Sequence, residues 1–224
     1  MAKDKLRILT VDDHEMSMMG YKYILERIDF NGVSIQLDTA KSFDEGQEKI
    51  DLSTTGFSYD NIFLDVMLAT YDEPDAKNGE DLGAYAKIKS PDSRIVFMSS
   101  FSDGYRINSI LSHLDPEGYL IKSDINKESL SAMVHTVMTS PPFYSKGTLA
   151  TIRKRLANDL PLDQMDKEIL HLLSIGVKTK DMTASIPLSL AGIESRKRHI
   201  KSLFGIDKQN DQALLNEAKQ RGFI

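Results

Sequence analysis

Four polar positions in the first half of the chain combine residue types that could carry out phosphoryl chemistry. They are the acidic pair Asp12-Asp13, Asp65, Ser99 and Lys122, which follow the apolar runs LRILTV, NIFL, RIVFM and GYLI in that order. Carboxylates bind Mg²⁺ and can attack phosphorus, while a hydroxyl and an ammonium group can stabilise charge on a transferring phosphoryl group. If these positions meet in the folded chain, they form a metal site beside a phosphoryl acceptor.

The elements that must position these residues alternate along residues 1–139. Short apolar runs separated by segments of helical periodicity are typical of buried parallel strands and their connecting helices. The predicted strands are 6–11, 34–39, 61–64, 94–98 and 118–121, and the predicted helices are 16–28, 43–53, 79–89, 103–114 and 126–139. Five βα units with right-handed crossovers form a doubly wound α/β domain. Because the carboxyl ends of its strands share one edge, we expect the four positions to meet there.

The composition limits the classes of protein to which the chain can belong. The chain has 224 residues, with 41% hydrophobic and 27% charged residues, which is typical of globular domains. At roughly 100–150 residues per domain, it is long enough for two. The absence of cysteine excludes disulfides, thiolate zinc sites and a cysteine nucleophile. The sequence has no apolar run of the roughly 20 residues that a membrane span needs and no pattern of a secretory signal, so we expect a cytoplasmic protein.

The segment SPPFYSKG, residues 140–147, interrupts the alternation. Its adjacent residues Pro141 and Pro142 cannot continue a helix, so we place a linker here. The predicted organisation is a first domain at 1–139, a linker at 140–161 that contains a helix at 148–158, and a smaller helical domain at 162–224. Acidic residues dominate before Thr148 and basic residues after it. The basic half is therefore a candidate for binding a polyanion.

Residues 1–139 resemble the receiver domain of two-component response regulators. The matching pieces are VDDHE, DNIFLD ending at Asp65, MSS after the fourth strand, and GYLIK. The resemblance implies a flavodoxin-like five-stranded sheet of order 2-1-3-4-5 and a partner histidine kinase that phosphorylates Asp65 with Mg²⁺ as cofactor. His14, in VDDHE, has no second histidine nearby, and we expect it to begin a helix rather than bind the metal.

The resemblance also assigns roles within the pocket. It implies that Asp13 and Asp65 bind Mg²⁺ directly, that Asp12 binds it directly or through water, and that the carbonyl of Met67 completes the protein ligands. Lys122 would offset charge on the transferring group. A Mg²⁺-dependent phosphohydrolase is disfavoured, because the residue two positions after Asp65 is Met67 rather than an acid.

Two residues are expected to act as a switch. In receivers the hydroxyl at the position of Ser99 moves towards the phosphoryl group while an aromatic residue at the position of Tyr119 turns inward. The alternative is a tyrosine that lies on the sheet with its hydroxyl in water. Met67 and Phe101 occupy positions that flank the path of attacking water, and both are apolar, which predicts slow hydrolysis of the phospho-aspartate. The acidic insertion 68–78 is either a solvated loop or a lid or partner surface.

The segment 162–224 has the pattern of a small helical domain with a helix-turn-helix. Gly176 can end a first helix, Thr179 can cap a short second one, and Ser189 can cap a third. The residues expected to be buried are Met165, Ile169, Leu172, Leu173, Met182, Ile193, Ile200 and Phe204. A last helix, 210–221, either pairs domains or closes the core.

The same segment resembles the LuxR/NarL/FixJ type of DNA-binding domain. The matching pieces are EILHLLSIG, KDM and IESRKRHIKSLFGI. The resemblance implies binding to double-stranded DNA, as a homodimer when phosphorylated, on paired half-sites. The sequence departs from the family pattern, since Gly192 replaces a usual threonine, Glu194 a common lysine, Arg196 a usual histidine and Leu203 a lysine.

Helical periodicity divides the candidate DNA contacts into two groups. The residues expected to face the major groove are Glu194, Ser195, Arg198 and Ser202, and those expected to contact phosphates are Arg196, Lys197, Lys201 and Lys180. Arg198 could read guanine, and Glu194 could accept a hydrogen bond from cytosine. The alternative is a solvated basic face on a signalling adaptor that binds protein instead of DNA. Glu194 and the long acidic insertion 68–78 favour the adaptor, and an acid near phosphates also weakens DNA binding.

Overall fold

The chain forms two compact units in a computed structural model that describes residues 4–28, 30, 32–68, 77–100, 104–157 and 160–224. The first unit comprises Met1–Phe101 and Ile110–Thr148, and the second comprises Ser102–Ser109 and Leu149–Ile224. The predictions for Phe101 and for most of the insertion 68–78 lie outside the described residues.

A parallel sheet organises the first unit. Its strands are β1 (Lys5–Val11), β2 (Ser34–Ala40), β3 (Asn61–Asp65), β4 (Arg94–Ser99), β5 (Gly118–Ile121) and β6 (Phe143–Tyr144), in the order β2-β1-β3-β4-β5-β6. The α/β fold and the order of the first five strands are therefore confirmed. The sixth strand corrects the prediction, because it lies in the segment expected to be only a linker. A two-residue strand beside two prolines has no periodicity that a sequence can reveal.

The helices of this unit agree closely with the predicted ranges. They are α1 (Glu15–Leu25), α2 (Phe43–Ser53), α3 (Gly79–Lys89) and α5 (Lys127–Thr139), with a short 3₁₀ helix, η1 (Lys122–Asp124), before α5. The range of α4 (Gly104–Leu114) is divided between the two units after Ser109. Polar side chains fix their starts: Ser42 caps α2, while Asn78 and Asn126 form capping boxes at α3 and α5.

The core explains why the strands are apolar runs. On one face of the sheet, Ile8, Phe63 and Val96 are fully buried in a cluster that also contains Tyr21 and Leu25 of α1. The same cluster includes four buried residues of α5: Leu130, Met133, Val134 and Val137. Strands that are covered by helices on both faces need apolar side chains at nearly every position.

The second unit is helical. Its elements include α6 (Lys146–Leu156) from Leu149 onwards, α7 (Gln164–Ser174), a 3₁₀ helix η2 (Met182–Ala184), α8 (Leu190–Phe204) and α9 (Asp211–Gln220). Ser189 caps α8 as predicted, and Gly205 ends it with φ of 73°, a left-handed conformation that favours glycine. The prediction for Thr179 is wrong, because Asp181 precedes η2 without a capping side chain and the Thr179 hydroxyl instead accepts from Lys197 Nζ.

Helix α9 closes the core of this unit. Leu214 and Ala218 of α9 are buried in one cluster with Ile193 and Ile200 of α8 and Ile169 of α7. This burial accounts for the apolar stripe of the last helix without a second chain. Among the described residues, no helix has both the length and the apolar character needed to cross a membrane.

Candidate functional site

The carboxyl edge of the sheet brings the predicted pocket residues to one place. Asp12 follows β1, Asp65 ends β3, Ser99 ends β4 and Lys122 follows β5. The strands are in register at this edge, since Asp65 is opposite Met98 and Ser99 is opposite Ile121. Backbone pairing of four parallel strands therefore sets the position of residues that are far apart in sequence.

A single ammonium group joins the two buried carboxylates. Lys122 Nζ lies 2.7 Å from Asp12 Oδ2 and 2.7 Å from Asp65 Oδ2. The side chains of Asp12 and Asp65 are 0% and 2% exposed. The second oxygen of each carboxylate accepts a backbone N–H two residues later, from His14 at 2.9 Å and from Met67 at 3.2 Å. Such turns hold both carboxylates in fixed orientations.

The pKa shifts in the pocket reflect burial and the sharing of one ammonium group by two carboxylates. Burial raises the pKa of Asp65, and the nearby Asp12 adds to this, while Lys122 opposes it without reversing it. Burial alone would lower the pKa of Lys122, but its hydrogen bonds to Asp12 and Asp65 outweigh burial and raise that pKa. Both shifts favour an added proton, because two buried carboxylates share one ammonium.

The donor atoms of the pocket fit a hard divalent cation. Ligand atoms of Asp12, Asp13, His14 and Asp65 all lie within 4.8 Å of one another. Three of these residues offer carboxylate oxygens, the ligands that Mg²⁺ prefers, and their negative charge exceeds the single positive charge of Lys122. Met67 is held beside this group by its N–H bond to Asp65.

His14 lies closer to the acidic residues of the pocket than the sequence predicted. It does occupy the position before the first residue of α1, although its side chain makes no capping bond there. Its Nδ1 lies 2.6 Å from Asp13 Oδ1 and 3.3 Å from Asp12 Oδ1. The imidazole therefore belongs to the acidic cluster, which its position directly after Asp13 in the sequence could have indicated.

The predicted switch residues are buried beside the pocket. Ser99 is buried at the end of β4, and Tyr119 is 1% exposed, with its ring centroid 6.5 Å from that of Phe97. This burial contradicts the alternative in which the Tyr119 hydroxyl lies in water. The switching motion of Ser99 and Tyr119 stays a prediction.

The outward face of α8 partly matches the predicted DNA contacts. Ser195, Arg198 and Ser202 are exposed, as is Lys180 before η2, whereas Glu194 is half-buried. His199 is also exposed on this helix. It is not among the predicted contacts, although it lies one residue after Arg198 and outside the apolar stripe.

Three cations predicted to contact phosphates form ion pairs with acids of the same unit: Arg196, Lys197 and Lys201. Lys197 is 4% exposed, and its Nζ lies 2.7 Å from Asp211 Oδ2, 3.3 Å from Glu194 Oε1 and 2.9 Å from Thr179 Oγ1. Lys201 Nζ lies 2.8 Å from Asp211 Oδ1. A DNA contact by Lys197 is therefore contradicted, because its charge is buried and already paired.

The ion pairs of Arg196 form a similar arrangement at the start of α7. Arg196 Nη1 lies 2.7 Å from Asp163 Oδ2 and 2.8 Å from Asp166 Oδ1, the two residues of the α7 capping box. These hydrogen bonds raise the pKa of Arg196. Arg196 thus ties α8 to α7, and a phosphate would have to compete with two carboxylates for it.

Comparisons with known proteins extend over nearly the whole chain. No family model matches the sequence. The transcriptional regulatory protein MctR of Rhizobium johnstonii is 23% identical over 207 residues, which cover 91% of this chain and 89% of that protein. The nitrate/nitrite response regulator protein homolog of Haemophilus influenzae is 25% identical over 204 residues, covering 90% and 89%. The resemblance to response regulators is confirmed.

Over nearly its whole length the chain is similar to response regulators and other transcriptional regulatory proteins. A solved structure of RcsB from Salmonella enterica serovar Typhimurium, bound to promoter P1flhDC with the phosphomimetic BeF₃⁻, is similar in fold. It is 19% identical, with a TM-score of 0.62, and the match covers 96% of this chain and 98% of that one. The curated relatives carry the names of regulators rather than of enzymes.

Proposed function

We propose that this response regulator accepts a phosphoryl group on Asp65 from a histidine kinase and thereby controls DNA binding and transcription. The observation that carries the proposal is the contact of Lys122 Nζ with both buried carboxylates, at 2.7 Å from each. This arrangement supports the proposal, because a buried carboxylate, a positive charge and further carboxylates share one sheet edge. A cytoplasmic location, with access to DNA, is part of the proposal.

Phosphoryl transfer to Asp65 is a nucleophilic displacement at phosphorus. A carboxylate oxygen of Asp65 forms a bond to phosphorus while the P–N bond to the donor histidine breaks, and the electron pair leaves with the imidazole. With acetyl phosphate the P–O bond breaks and acetate leaves. The protein acts only as the acceptor and contributes positioning and charge, so it is not an enzyme with an external product.

The residues around Asp65 have distinct roles in this proposal. Asp12, Asp13, Asp65 and the carbonyl of Met67 would hold Mg²⁺, which when bound supplies positive charge for the phosphoryl oxygens. Because the pKa of Lys122 is raised, its side chain stays protonated and can contact those oxygens.

In this proposal, phosphorylation changes the receiver and so promotes dimerisation and DNA binding. Ser99 would donate its hydroxyl hydrogen to the new phosphoryl group, and the position of Tyr119 would change with it. In the second unit, Arg198, Ser195 and Ser202 are the exposed α8 residues that we assign to base contacts, and Lys180 to a phosphate. A known structure of two RcsB dimers bound to two parallel DNAs supports a dimer on DNA as the expected assembly.

Incubation with acetyl phosphate and Mg²⁺ tests the proposal. We expect the wild-type protein to gain the mass of one phosphoryl group and to associate on native sizing, and Asp65→Asn to do neither. Asp92→Asn, the same chemical change at an exposed position, serves as the control. A mass gain in Asp65→Asn equal to that of the wild type would show that another residue is the acceptor.

The second candidate function is a phosphorylation-dependent adaptor whose C-terminal domain binds protein. It is favoured by the internal ion pairs of Arg196, Lys197 and Lys201, which leave fewer cations for DNA than the sequence suggests. A gel shift on genomic fragments at several salt concentrations separates the two functions. DNA binding predicts a steep loss of affinity with salt, because phosphate contacts release counterions. Phosphorylated protein that binds no fragment at low salt would support the adaptor.

A further inference from the structure

The chain does not leave the receiver unit at the end of α5 but returns to the edge of its sheet. The strand β6 pairs in parallel with β5, so that Gly118 is opposite Phe143 and Tyr119 is opposite Tyr144. Phe143 N donates to Glu117 O at 3.0 Å, and Ser145 N donates to Tyr119 O at 3.0 Å. The linker therefore satisfies backbone groups that an edge strand would expose.

A partly buried hydrogen-bond network fixes the start of α6 to the turn after β5. Ser145 Oγ donates to Asp124 Oδ2 at 2.6 Å, and Gly147 N donates to the same oxygen at 2.7 Å. Ser145 Oγ in turn accepts from Ile121 N at 3.2 Å. The adjacent Thr148 donates its hydroxyl hydrogen to Tyr119 O at 3.2 Å. Ser145 and Thr148 are both buried, whereas Asp124 is half-buried, so the bonds to Asp124 are partly accessible to water.

The position of Asp124 links this network to the phosphoryl pocket. Asp124 ends η1, the three-residue 3₁₀ helix that Lys122 begins. Lys122 is the residue whose Nζ contacts Asp12 and Asp65. Only Ser123 separates Lys122 from Asp124 in this helix, so a backbone shift at Lys122 displaces Asp124 as well.

We propose that Asp124, Ser145 and Gly147 form a clasp through which the position of Lys122 controls the start of α6. The inference rests on the proposed phosphorylation of Asp65. In the present structure Lys122 is held by Asp12 and Asp65, and the clasp is closed. A phosphoryl group on Asp65 would offer its oxygens to Lys122 Nζ, which would then leave its contacts with Asp12 and Asp65 and shift the backbone at Lys122. Its displacement strains η1 and opens the clasp, which loosens β6 and the first turn of α6.

Coupling of this kind is reciprocal. If a phosphoryl group at Asp65 opens the clasp, then a variant without the clasp must bind the phosphoryl group or its mimic more tightly. Asp124 is thus a positioning residue that acts on the pocket through Lys122. A purely structural role predicts the opposite result, because damage near Lys122 weakens binding.

The test uses the full chain with beryllium fluoride and Mg²⁺ as the phosphoryl mimic. In the wild type we expect hydrogen exchange at the amides of residues 143–148 to accelerate about fivefold or more when the mimic binds. In Asp124→Ala and Ser145→Ala we expect fast exchange at these amides without the mimic, and binding about fivefold tighter than in the wild type, measured by ¹⁹F NMR titration.

Two further variants and one further measurement make the result decisive. Ser42→Ala removes the cap of α2 in the same way that Ser145→Ala acts at α6, and it should leave binding unchanged. Asp124→Asn keeps an acceptor oxygen and should return binding towards the wild-type value. Unchanged exchange at 143–148 with the mimic bound, or equal or weaker binding by Asp124→Ala, overturns the clasp alone. If the wild type neither binds the mimic nor gains mass from acetyl phosphate, the phosphorylation proposal fails, and the clasp fails with it.

Discussion

Asp65→Asn is expected to stabilise the protein when no divalent cation is bound, although it removes the proposed phosphoryl acceptor. Asp12 and Asp65 are both buried, and both contact the one ammonium group of Lys122. Burial, with a contribution from Asp12, raises the pKa of Asp65 despite Lys122. The folded state therefore disfavours the charged form of Asp65. An amide of the same shape removes that charge and leaves Asp12 paired with Lys122.

The size of the effect follows from opposing interactions in the pocket. Two carboxylate oxygens within about 5 Å of each other repel by roughly 3 kcal/mol at an effective dielectric constant of about 20. The variant also escapes the desolvation of one carboxylate, but it loses the attraction between Asp65 and Lys122. Since the raised pKa fixes the sign, we expect a net gain of about 1–2 kcal/mol in the free energy of unfolding. In a chain of this size the melting temperature rises by about 2–8 °C.

Thermal and urea unfolding in EDTA at neutral pH measure this gain, with Asp92→Asn as a control that should match the wild type. The advantage should grow as the pH rises. An acid with a raised pKa in the folded state binds its proton more tightly there, so the wild type loses stability as the pH passes through that pKa. Saturating Mg²⁺ should reduce the advantage, because it stabilises the wild-type carboxylates more than the amide. Equal or lower stability of Asp65→Asn in EDTA would refute the inference that the folded pocket disfavours the charged form of Asp65.

Three further perturbations test other parts of the structure. Gly79→Ala should destabilise the chain by at least about 2 kcal/mol and slow phosphorylation, because the added Cβ would overlap the backbone at the end of β3. Gly20→Ala, where the added Cβ meets open space, should be neutral or slightly stabilising. Urea unfolding compares the two variants. Lys197→Met should leave the salt dependence of DNA binding unchanged, while Arg198→Ala lowers it in anisotropy titrations. Asp211 is partly buried, which raises its pKa, but its ion pairs with Lys197 and Lys201 outweigh burial and lower it. Its stabilising contribution is present above the ordinary aspartate pKa and is lost as the pH falls through the lowered value, so Asp211→Asn should flatten this acid dependence in urea unfolding.

Much of the receiver fold follows from sequence because each of its first five strands is a short buried run. Such runs, with capped helices between them, specify both the element type and the face that is buried. The bounds of α2 and α3 agree with the predicted ranges because Ser42 and Asn78 mark their starts. The strand β6 could not be predicted, because two residues give no period and its pairing depends on the edge that β5 leaves open.

The pocket and the DNA face differ in how far sequence can determine them. Pocket residues are set by strand ends, and parallel pairing brings strand ends together whatever the side chains between them. On α8, a residue can contact DNA only if it lies outside the buried stripe. That stripe consists of Ile193, Lys197, Ile200 and Phe204, which recur at helical spacing. A lysine in a buried stripe is unexpected in the sequence, and the structure explains it by the ion pair with Asp211 of α9. Sequence alone could place Lys197 on the stripe but could not identify its partner, and the partner decides whether the charge is available to DNA.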